Sequence, residues 1–191
     1  MIKTALVIFG VIIVGWSGYT VGFEGRLEKP EYTVLQKFQG VEIREYPPFQ
    51  VAQTQTEKGQ EGLYRGFRMV AGYIFGGNQE ERSMAMTAPV IQENGASNMN
   101  VAFFMSKEET DLPVPNDRNV VVTKMEWGTV AALSFSGTGS QERFITKEKK
   151  LREKLTIKGL KTEKNAIYAQ YNSPSAFPLL RKNEVLIQLL Q

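Results

Sequence analysis

The sequence predicts one α+β domain in which an antiparallel sheet, or an open barrel, packs against two helices. Short strand-like segments outnumber helical ones, and each half of the chain contains one segment with helical spacing of apolar residues. The links between successive strands are too short for parallel crossovers, so the strands must run antiparallel. With 191 residues, 42% hydrophobic and 23% charged, the chain is long enough for one domain with a full core.

The first half is predicted as three strands, a helix and a further strand. Two strands flank Gln39-Gly40, which is a plausible hairpin turn, and Pro47-Pro48 breaks the second of them. The predicted strands are Tyr32–Phe38, Val41–Tyr46 and Phe49–Thr56.

The predicted first helix runs from about Gln60 to Phe75. Its buried side is an apolar series at positions i, i+4, i+7 and i+11, namely Leu63, Phe67, Val70 and Ile74. Gly76-Gly77-Asn78 should end the helix, because glycine adopts the left-handed conformation of a C-cap at little steric cost.

One edge of this helix is a candidate ligand site. Arg65, Met69 and Tyr73 follow each other at i, i+4 and i+8, and Gly62 and Gly66 lie beside them. We expect a cation at one end, apolar surface in the middle and a shallow trough over the two glycines. The alternative is ordinary packing at the margin of the core, with the arginine head in solvent.

After the helix, Ser83–Val90 is predicted to be extended. Met84 and Met86 would then share one face, and Pro89 indicates an edge or the end of a strand.

The second half is predicted to repeat this order. Trp127-Gly128 is expected to join a second hairpin, and Ser140 is a good N-cap for a second helix that ends at Gly159. Phe144, Leu151 and Leu155 mark the buried face of that helix. The other strand-like segments are Met99–Met105, Val120–Glu126, Thr129–Phe135, Ala166–Tyr171 and Glu184–Leu190, with a proline-containing loop at Ser106–Asn119.

The exposed faces of the second helix are strongly basic. Seven cations lie there among glutamates: Arg143, Lys147, Lys149, Lys150, Arg152, Lys154 and Lys158. Such a series usually marks a solvated face, and the alternative is a surface for a partner or for lipid headgroups.

The two halves resemble each other at constant offsets. An offset of 79 places Val41, Ile43, Val51 and Ala52 on Val120, Val122, Val130 and Ala131. An offset of 81 places Leu63, Val70 and Ile74 on Phe144, Leu151 and Leu155. These matches predict two related units, each with a hairpin, a helix and a strand.

The N-terminus contains an uncharged apolar run from Thr4 to Phe23, after Lys3. About 20 apolar residues can span a bilayer, so we expect an uncleaved anchor in residues 1–23 and an exported, membrane-anchored or periplasmic domain. A cleaved signal peptide is the main alternative, although no good cleavage site follows. Residues 24–31 are predicted as a polar tether and 32–191 as the domain.

Charge and missing residue types exclude several functions. The formal net charge of +3 falls to +2 when residues 1–23, with their single Lys3, are removed, which is too small an excess to indicate nucleic-acid binding. Cysteine and histidine are both absent. A disulfide frame, a thiol nucleophile, a Ser-His triad and histidine ligands for zinc or iron are therefore excluded for this sequence.

Four segments of the sequence carry a resemblance to a known family. They are Glu42–Pro47, then Gly66–Arg68 with Tyr73–Asn78, then Met84–Val90, and finally Tyr171–Pro174 with Phe177 and Arg181–Val185. Across about residues 30–190 the chain resembles the SOUL haem-binding protein family. The resemblance implies a two-repeat, barrel-like antiparallel sheet with two flanking helices, similar to gyrase-inhibitor-like domains, and the binding of haem or another tetrapyrrole.

The resemblance also implies where the ligand lies. The family pattern uses the first helix and the loop before the last strand, which here gives Arg65, Met69, Tyr73, Tyr171, Phe177 and Arg181. A porphyrin needs an apolar floor for its ring and cations for its propionates. Haem would bind non-covalently and without a histidine ligand, and Met69, Met84, Met86 or a tyrosine are the remaining, weaker candidates for iron ligation.

Two other functions are compatible with the sequence. A small-molecule hydrolase would use a pocket glutamate, Glu42, Glu45 or Glu61, as general base. A partner-binding module would use the basic second helix or the Pro113–Asn116 loop. Carboxylates that converge in a cleft would favour the first, and a large exposed apolar patch without a pocket would favour the second.

Overall fold

A computed structural model of the chain describes residues 16–20, 22 and 24–190. Nine strands form one open, wholly antiparallel sheet, and two α-helices pack on it, as predicted. The strands are β1 (Thr33–Phe38), β2 (Val41–Tyr46), β3 (Phe49–Glu57), β4 (Val90–Asn94), β5 (Asn98–Phe104), β6 (Val121–Met125), β7 (Gly128–Ser136), β8 (Thr162–Gln170) and β9 (Lys182–Leu189). The helices are α1 (Gln60–Ile74) and α2 (Gln141–Ile157), with short 3-10 turns at Glu24–Arg26 and Pro178–Leu180.

The strand order is β1-β2-β7-β9-β8-β4-β5-β3-β6, and it confirms the predicted internal repeat. Val51 of β3 lies opposite Thr123 of β6, and Val130 of β7 lies opposite Arg44 of β2. The offset of 79 relates the two pairs, because it takes Val51 to Val130 and Arg44 to Thr123. Each half of the sheet therefore repeats the other in register as well as in order, and the halves join where β4 pairs with β8.

The prediction of a second hairpin around Trp127-Gly128 is wrong. β6 pairs with β3, whereas β7 pairs with β2 and β9. Thus β2, which opens the first repeat, pairs with β7 of the second repeat, and β6, which opens the second repeat, pairs with β3 of the first. The link between β6 and β7 contributes a side chain to the core, because the Trp127 ring is buried and packs edge-on against Tyr46 and Phe49.

Neighbouring residues on each strand point to opposite faces of the sheet, and this places three hydrophobic clusters. The inner cluster lies on the face opposite the two α-helices, with Val51 and Phe104 among its members. On the other face the α1 cluster includes Ala52 and Phe103, and the α2 cluster includes Phe144. The two helices therefore cover different ends of one face of the sheet.

Local signals in the sequence account for most element ends. Gln39 and Gly40 both have positive φ, as a tight hairpin turn requires, and Gly76 and Gly159 have positive φ just after the helices. Ser140 is the N-cap residue of α2, although its hydroxyl makes no capping hydrogen bond.

The extended segment predicted at Ser83–Val90 is only partly a strand. β4 begins at Val90, and the residues before it make isolated bridges, such as the one between Phe75 and Ser83. Met84 and Met86 both pack on the α1 cluster, as their predicted common face requires.

Most of the predicted anchor lies outside the described residues, which include only 16–20 and 22 of it. In the part of the chain that is described, no helix is long and apolar enough to cross a membrane. Residues 27–30, predicted within the tether, lie against the domain: Leu27 packs on the inner cluster, and Glu28 accepts a hydrogen bond from the Lys107 backbone.

Candidate functional site

The outer face of α1 presents two arginines to solvent. Arg65 is exposed and forms an ion pair with Glu57 at 2.8 Å. Arg68 is also exposed and has no ion pair within the described residues. A shallow pocket of about 460 Å³ lies between these heads, lined by Glu61, Tyr64, Arg65 and Arg68.

The trough predicted over Gly62 and Gly66 is wrong, because both glycines face the sheet. A Cβ on Gly62 would lie 1.8 Å from the carbonyl oxygen of Glu57, and one on Gly66 would lie 2.7 Å from Cγ2 of Val101. The absence of side chains lets α1 approach the strands closely. The glycine that leaves open surface is Gly72, where an added Cβ would meet no atom within 4 Å.

Gly72 extends the arginine-bearing face by one helical turn. Arg65, Arg68 and Gly72 follow each other at i, i+3 and i+7, and Phe75, just past the helix, is 61% exposed. Tyr64 is 55% exposed at the other end of this face. The result is a surface with cations at one end, bare backbone in the middle and an exposed aromatic ring at each end.

Tyr73 and Met69 lie away from this exposed face. Tyr73 is only 2% exposed, and its hydroxyl donates to the carbonyl oxygen of Pro113 at 2.9 Å. Burial raises the pKa of Tyr73, which keeps the phenol protonated. Met69 is half-buried against the α1 cluster, so it offers one side to the margin of the surface.

The other methionine candidates differ in their access to a surface ligand. Met84 is buried within the α1 cluster, whereas Met86 is half-buried at its edge. Within the described residues no group of three or more acidic side chains is arranged to hold a metal ion.

Tyr171 belongs to a buried polar network on the inner face of the sheet. Its hydroxyl donates to Oε2 of Glu184 at 2.6 Å, and burial raises its pKa well above the ordinary tyrosine value. Tyr171 and Tyr73 therefore lie on opposite faces of the sheet, the first in the inner cluster and the second in the α1 cluster. They do not line one site.

The centre of this network is an ion pair between Arg44 and Glu184. Nη1 and Nη2 of Arg44 each donate to a Glu184 oxygen at 2.9 Å, and Ser134 and Lys182 also contact the carboxylate. Burial alone would raise the pKa of Glu184, but the hydrogen bonds and charge of Arg44 outweigh it and lower the pKa to about 2. Burial likewise opposes the charge of Arg44, and Glu184 reverses this and raises the arginine pKa. Both groups are therefore charged over the whole physiological range.

The remaining predicted residues, Phe177 and Arg181, are engaged within the connection from β8 to β9. The guanidinium of Arg181 donates to the carbonyl oxygen of Ala176 at 3.1 Å and also to that of Pro174. The ring of Phe177 packs edge-on against Trp16 at 5.3 Å, and its backbone N–H donates to the Thr20 hydroxyl. The N-terminal helical turn thus covers this loop.

The three glutamates considered as catalytic bases do not converge. Glu42 pairs with Arg44 on the inner face, and Glu45, on the other face of β2, accepts a hydrogen bond from Thr129. Glu61 lies on the outer face of α1.

Two segments named as partner surfaces are also located. The Pro113–Asn116 loop is fastened to the end of α1, because Asn116 donates to Gly77 and Asn78 carbonyl oxygens. α2 presents its basic side chains on the opposite half of the sheet.

The chain matches a known protein family and several curated proteins. Residues 27–188 match the family described as "SOUL heme-binding protein". Two curated relatives carry the name "Heme-binding protein 2": the Mus musculus protein is 34% identical and the Homo sapiens protein 33%, with 77% of this chain and 77% of each relative covered.

Solved structures share the fold at low sequence identity. The C-terminal domain of EcmrR matches with a TM-score of 0.62 and 8% identity, covering 84% of this chain and 98% of that domain. A hydrolase from Listeria innocua matches with a TM-score of 0.56 and 9% identity, covering 82% and 94%. At this identity the likeness shows the fold alone.

Proposed function

The chain belongs to the SOUL heme-binding protein family, and from this premise we propose that it binds haem or a related tetrapyrrole on the outer face of α1. The observation that carries the location is the open surface over Gly72, next to the pocket lined by Tyr64, Arg65 and Arg68. A flat ring needs such a bare surface, and the exposed rings of Tyr64 and Phe75 supply apolar contact beside it.

Arg65 and Arg68 suit the two propionates of such a ligand. A guanidinium forms paired hydrogen bonds with a carboxylate, and both heads are exposed. Arg65 already pairs with the Glu57 carboxylate, and we propose that a propionate replaces this exposed partner. Because an exposed ion pair contributes at most about 1 kcal/mol, its loss costs little.

Apolar contact supplies most of the binding free energy in this proposal. Burying on the order of 300 Å² of ring at about 25 cal/mol/Å² gives roughly 7 kcal/mol. Association itself costs at least about 4 kcal/mol, so pairing with the propionates is needed for micromolar affinity. The family resemblance points to Met69 and to the 171–181 loop as well; of these, the half-buried Met69 lies at the margin of the proposed surface.

The residues on this face suit the ring and its carboxylates better than they suit iron. The sequence has no histidine, Tyr73 and Met84 are buried, and Met69 shows only part of its side chain, while we assign the exposed ring of Tyr64 to apolar contact with the ligand. A bound haem would supply its iron chemistry, while the chain supplies a floor and two cations. We therefore propose non-covalent binding without a histidine ligand.

An absorbance titration tests this function. Haemin and metal-free protoporphyrin should bind with affinities within about tenfold of each other, because the contacts proposed do not involve the metal. If haemin bound far more tightly than protoporphyrin, an iron ligand would supply most of the binding free energy. Failure of both to bind would refute the function.

We also propose that the domain is exported and held at a membrane by the apolar run of residues 4–23, whose last part, at Trp16 and Thr20, contacts the loop before β9. The support is the apolar run after Lys3 and the weak cleavage site that follows it. Cell fractionation with N-terminal sequencing tests this: recovery of a full-length, cytosolic protein would refute it, and a mature start near Phe23 would show a cleaved signal instead.

A further inference from the structure

Positive charge is concentrated around α2. Residues 141–164 contain nine Lys or Arg and four Glu, a net charge of +5, whereas the whole chain carries +3. The rest of the chain therefore sums to −2. The tetrapyrrole proposal does not use this region, which packs on the other half of the sheet.

Five of these cations form one straight row along α2, which we name the basic row: Arg143, Lys147, Lys150, Lys154 and Lys158. Their spacings of four, three, four and four residues keep them on one side of the helix. At a rise of about 1.5 Å per residue the row is roughly 22 Å long. Measured from the middle of the row, Glu142, Glu148 and Glu153 lie roughly 100° to 120° around the helix, although Glu153 is only three residues from Lys150.

None of the five cations forms an ion pair with a carboxylate in the described part of the chain. Arg143 and Lys154 donate to backbone carbonyl oxygens, and Lys147 and Lys158 lie over the rings of Phe135 and Phe38. Neutral acceptors and rings orient these side chains but leave their charge uncompensated. Stabilisation of the helix dipole explains only Lys154 and Lys158, because the other three are in the first two-thirds of the helix.

An exposed apolar side chain adjoins the row. Ile157 is 83% exposed and lies between Lys154 and Lys158 in the last turn. Cations beside an exposed apolar side chain can bind an anionic lipid surface through charge and apolar contact together.

We propose that the basic row docks the domain on an anionic lipid surface, with Ile157 in contact with the headgroup region. Lys150 and Lys158 are exposed, whereas Arg143, Lys147 and Lys154 are half-buried where the helix borders the sheet. Four of the row's five cations are lysines, which bind phosphate groups as point charges. A shallow groove of about 610 Å³ lies on the other side of α2, where Glu148 and Glu153 are balanced by Lys149 and Arg152, so the uncompensated charge is confined to the row.

The full chain can be tested through position 157, because the sequence has no cysteine and Ile157→Cys accepts a single polarity-sensitive dye. The chain is mixed with vesicles of phosphatidylcholine alone, or with phosphatidylglycerol in equal parts. We expect a blue shift, and quenching by lipid-borne nitroxide, only on the anionic vesicles, with reversal in about 0.5 M NaCl. The readout is local, so attachment through another segment does not mimic it.

Substitution of Lys147, Lys150 and Lys158 by Gln should lower the docking equilibrium about 100-fold. The control replaces Lys58, Lys124 and Lys149 by Gln, which removes the same charge outside the row and should leave the dye signal unchanged. Circular dichroism checks that both variants fold.

Three results would overturn the proposal. They are an equal shift on neutral vesicles or none on anionic ones, an equal loss in the control variant, and a shift produced by duplex DNA or polyglutamate but not by vesicles. The last result would assign the row to a different polyanion.

Discussion

The guanidinium of Arg44 and the carboxylate of Glu184 form two hydrogen bonds of 2.9 Å, although 140 residues separate them in sequence. Arg44 comes from the first repeat and Glu184 from the last strand. Both lie within segments that carry the family resemblance, Glu42–Pro47 and Arg181–Val185. The resemblance in these two segments therefore includes a buried ion pair that joins the repeats, in addition to any ligand contact.

Removal of the charge of Glu184 should strongly destabilise the fold. Within the described residues, Glu184→Gln leaves the buried Arg44 with Glu42 as its one anionic partner, so we expect a loss of about 3 kcal/mol in the free energy of unfolding, measured by urea denaturation. The control is Glu57→Gln, which breaks the exposed pair with Arg65 and should cost less than about 1 kcal/mol. Similar losses in both variants would show that Arg44–Glu184 is not the buried pair described.

Stability should fall in acid over a defined pH range. The pKa of Glu184 is about 2 in the folded protein and about 4.3 in an unfolded chain, so the unfolded state takes up the proton first. Its contribution is complete above about pH 5 and is lost as the pH falls towards 2, which amounts to about 3 kcal/mol. The free energy of unfolding measured between about pH 5 and 2 should show this loss. In Glu184→Gln the part of the acid-induced loss that comes from Glu184 should be absent.

Two glycines of α1 should respond in opposite ways to alanine. Gly66→Ala should lower the free energy of unfolding by at least about 1 kcal/mol, because its Cβ would press on Val101. Gly72→Ala should raise it by about 0.5 to 1 kcal/mol, because the added methyl meets open space and helix propensity improves. Thermal unfolding of the two variants measures both changes. A stabilised Gly66→Ala protein with a destabilised Gly72→Ala protein would contradict the packing of α1 described here.

The sequence predicted the elements of the fold well because their signals are local. Helical spacing places Val70 and Ile74 in the core, and Gly40 and Gly159 have the positive φ that a turn and a helix end need. Strand pairing was less predictable. Short links usually join neighbouring strands, yet β6 and β7 are separated because each pairs with the other repeat.

The site was harder to predict because periodicity does not set the rotation of a helix against a sheet. Arg65 lies at an exposed edge of α1, but Tyr73 is buried and Gly72, rather than Gly62, provides the open surface. The buried pair of Arg44 and Glu184 gave no local signal beyond charges within alternating strands. Only the sheet pairing brings them together.

Loss of either arginine should weaken tetrapyrrole binding. Arg65→Ala and Arg68→Ala each remove a propionate partner, and we expect dissociation constants about five- to tenfold higher for haemin and protoporphyrin alike. Arg118→Ala is the control, since this exposed arginine lies in the loop before β6. An effect on haemin only, or an equal effect of Arg118→Ala, would contradict pairing with propionates.

A charge at Met69 should act more strongly than the loss of one arginine. Met69→Glu places a carboxylate at the margin of the proposed ring surface, where it repels propionates and is desolvated by the ring. We expect weaker binding of both ligands than in Arg65→Ala, measured by the same titrations. Unchanged binding would show that the ring does not reach this margin.

The most direct test of the ligand site is the haemin titration of Gly72→Leu. The new side chain would stand in the open surface where we place the ring, while the helix should be at least as stable as before, since leucine has the higher helix propensity. We predict a dissociation constant at least about tenfold higher, with no loss in the thermal midpoint. Unchanged haemin affinity in a folded Gly72→Leu protein would contradict the central claim and place the ligand elsewhere.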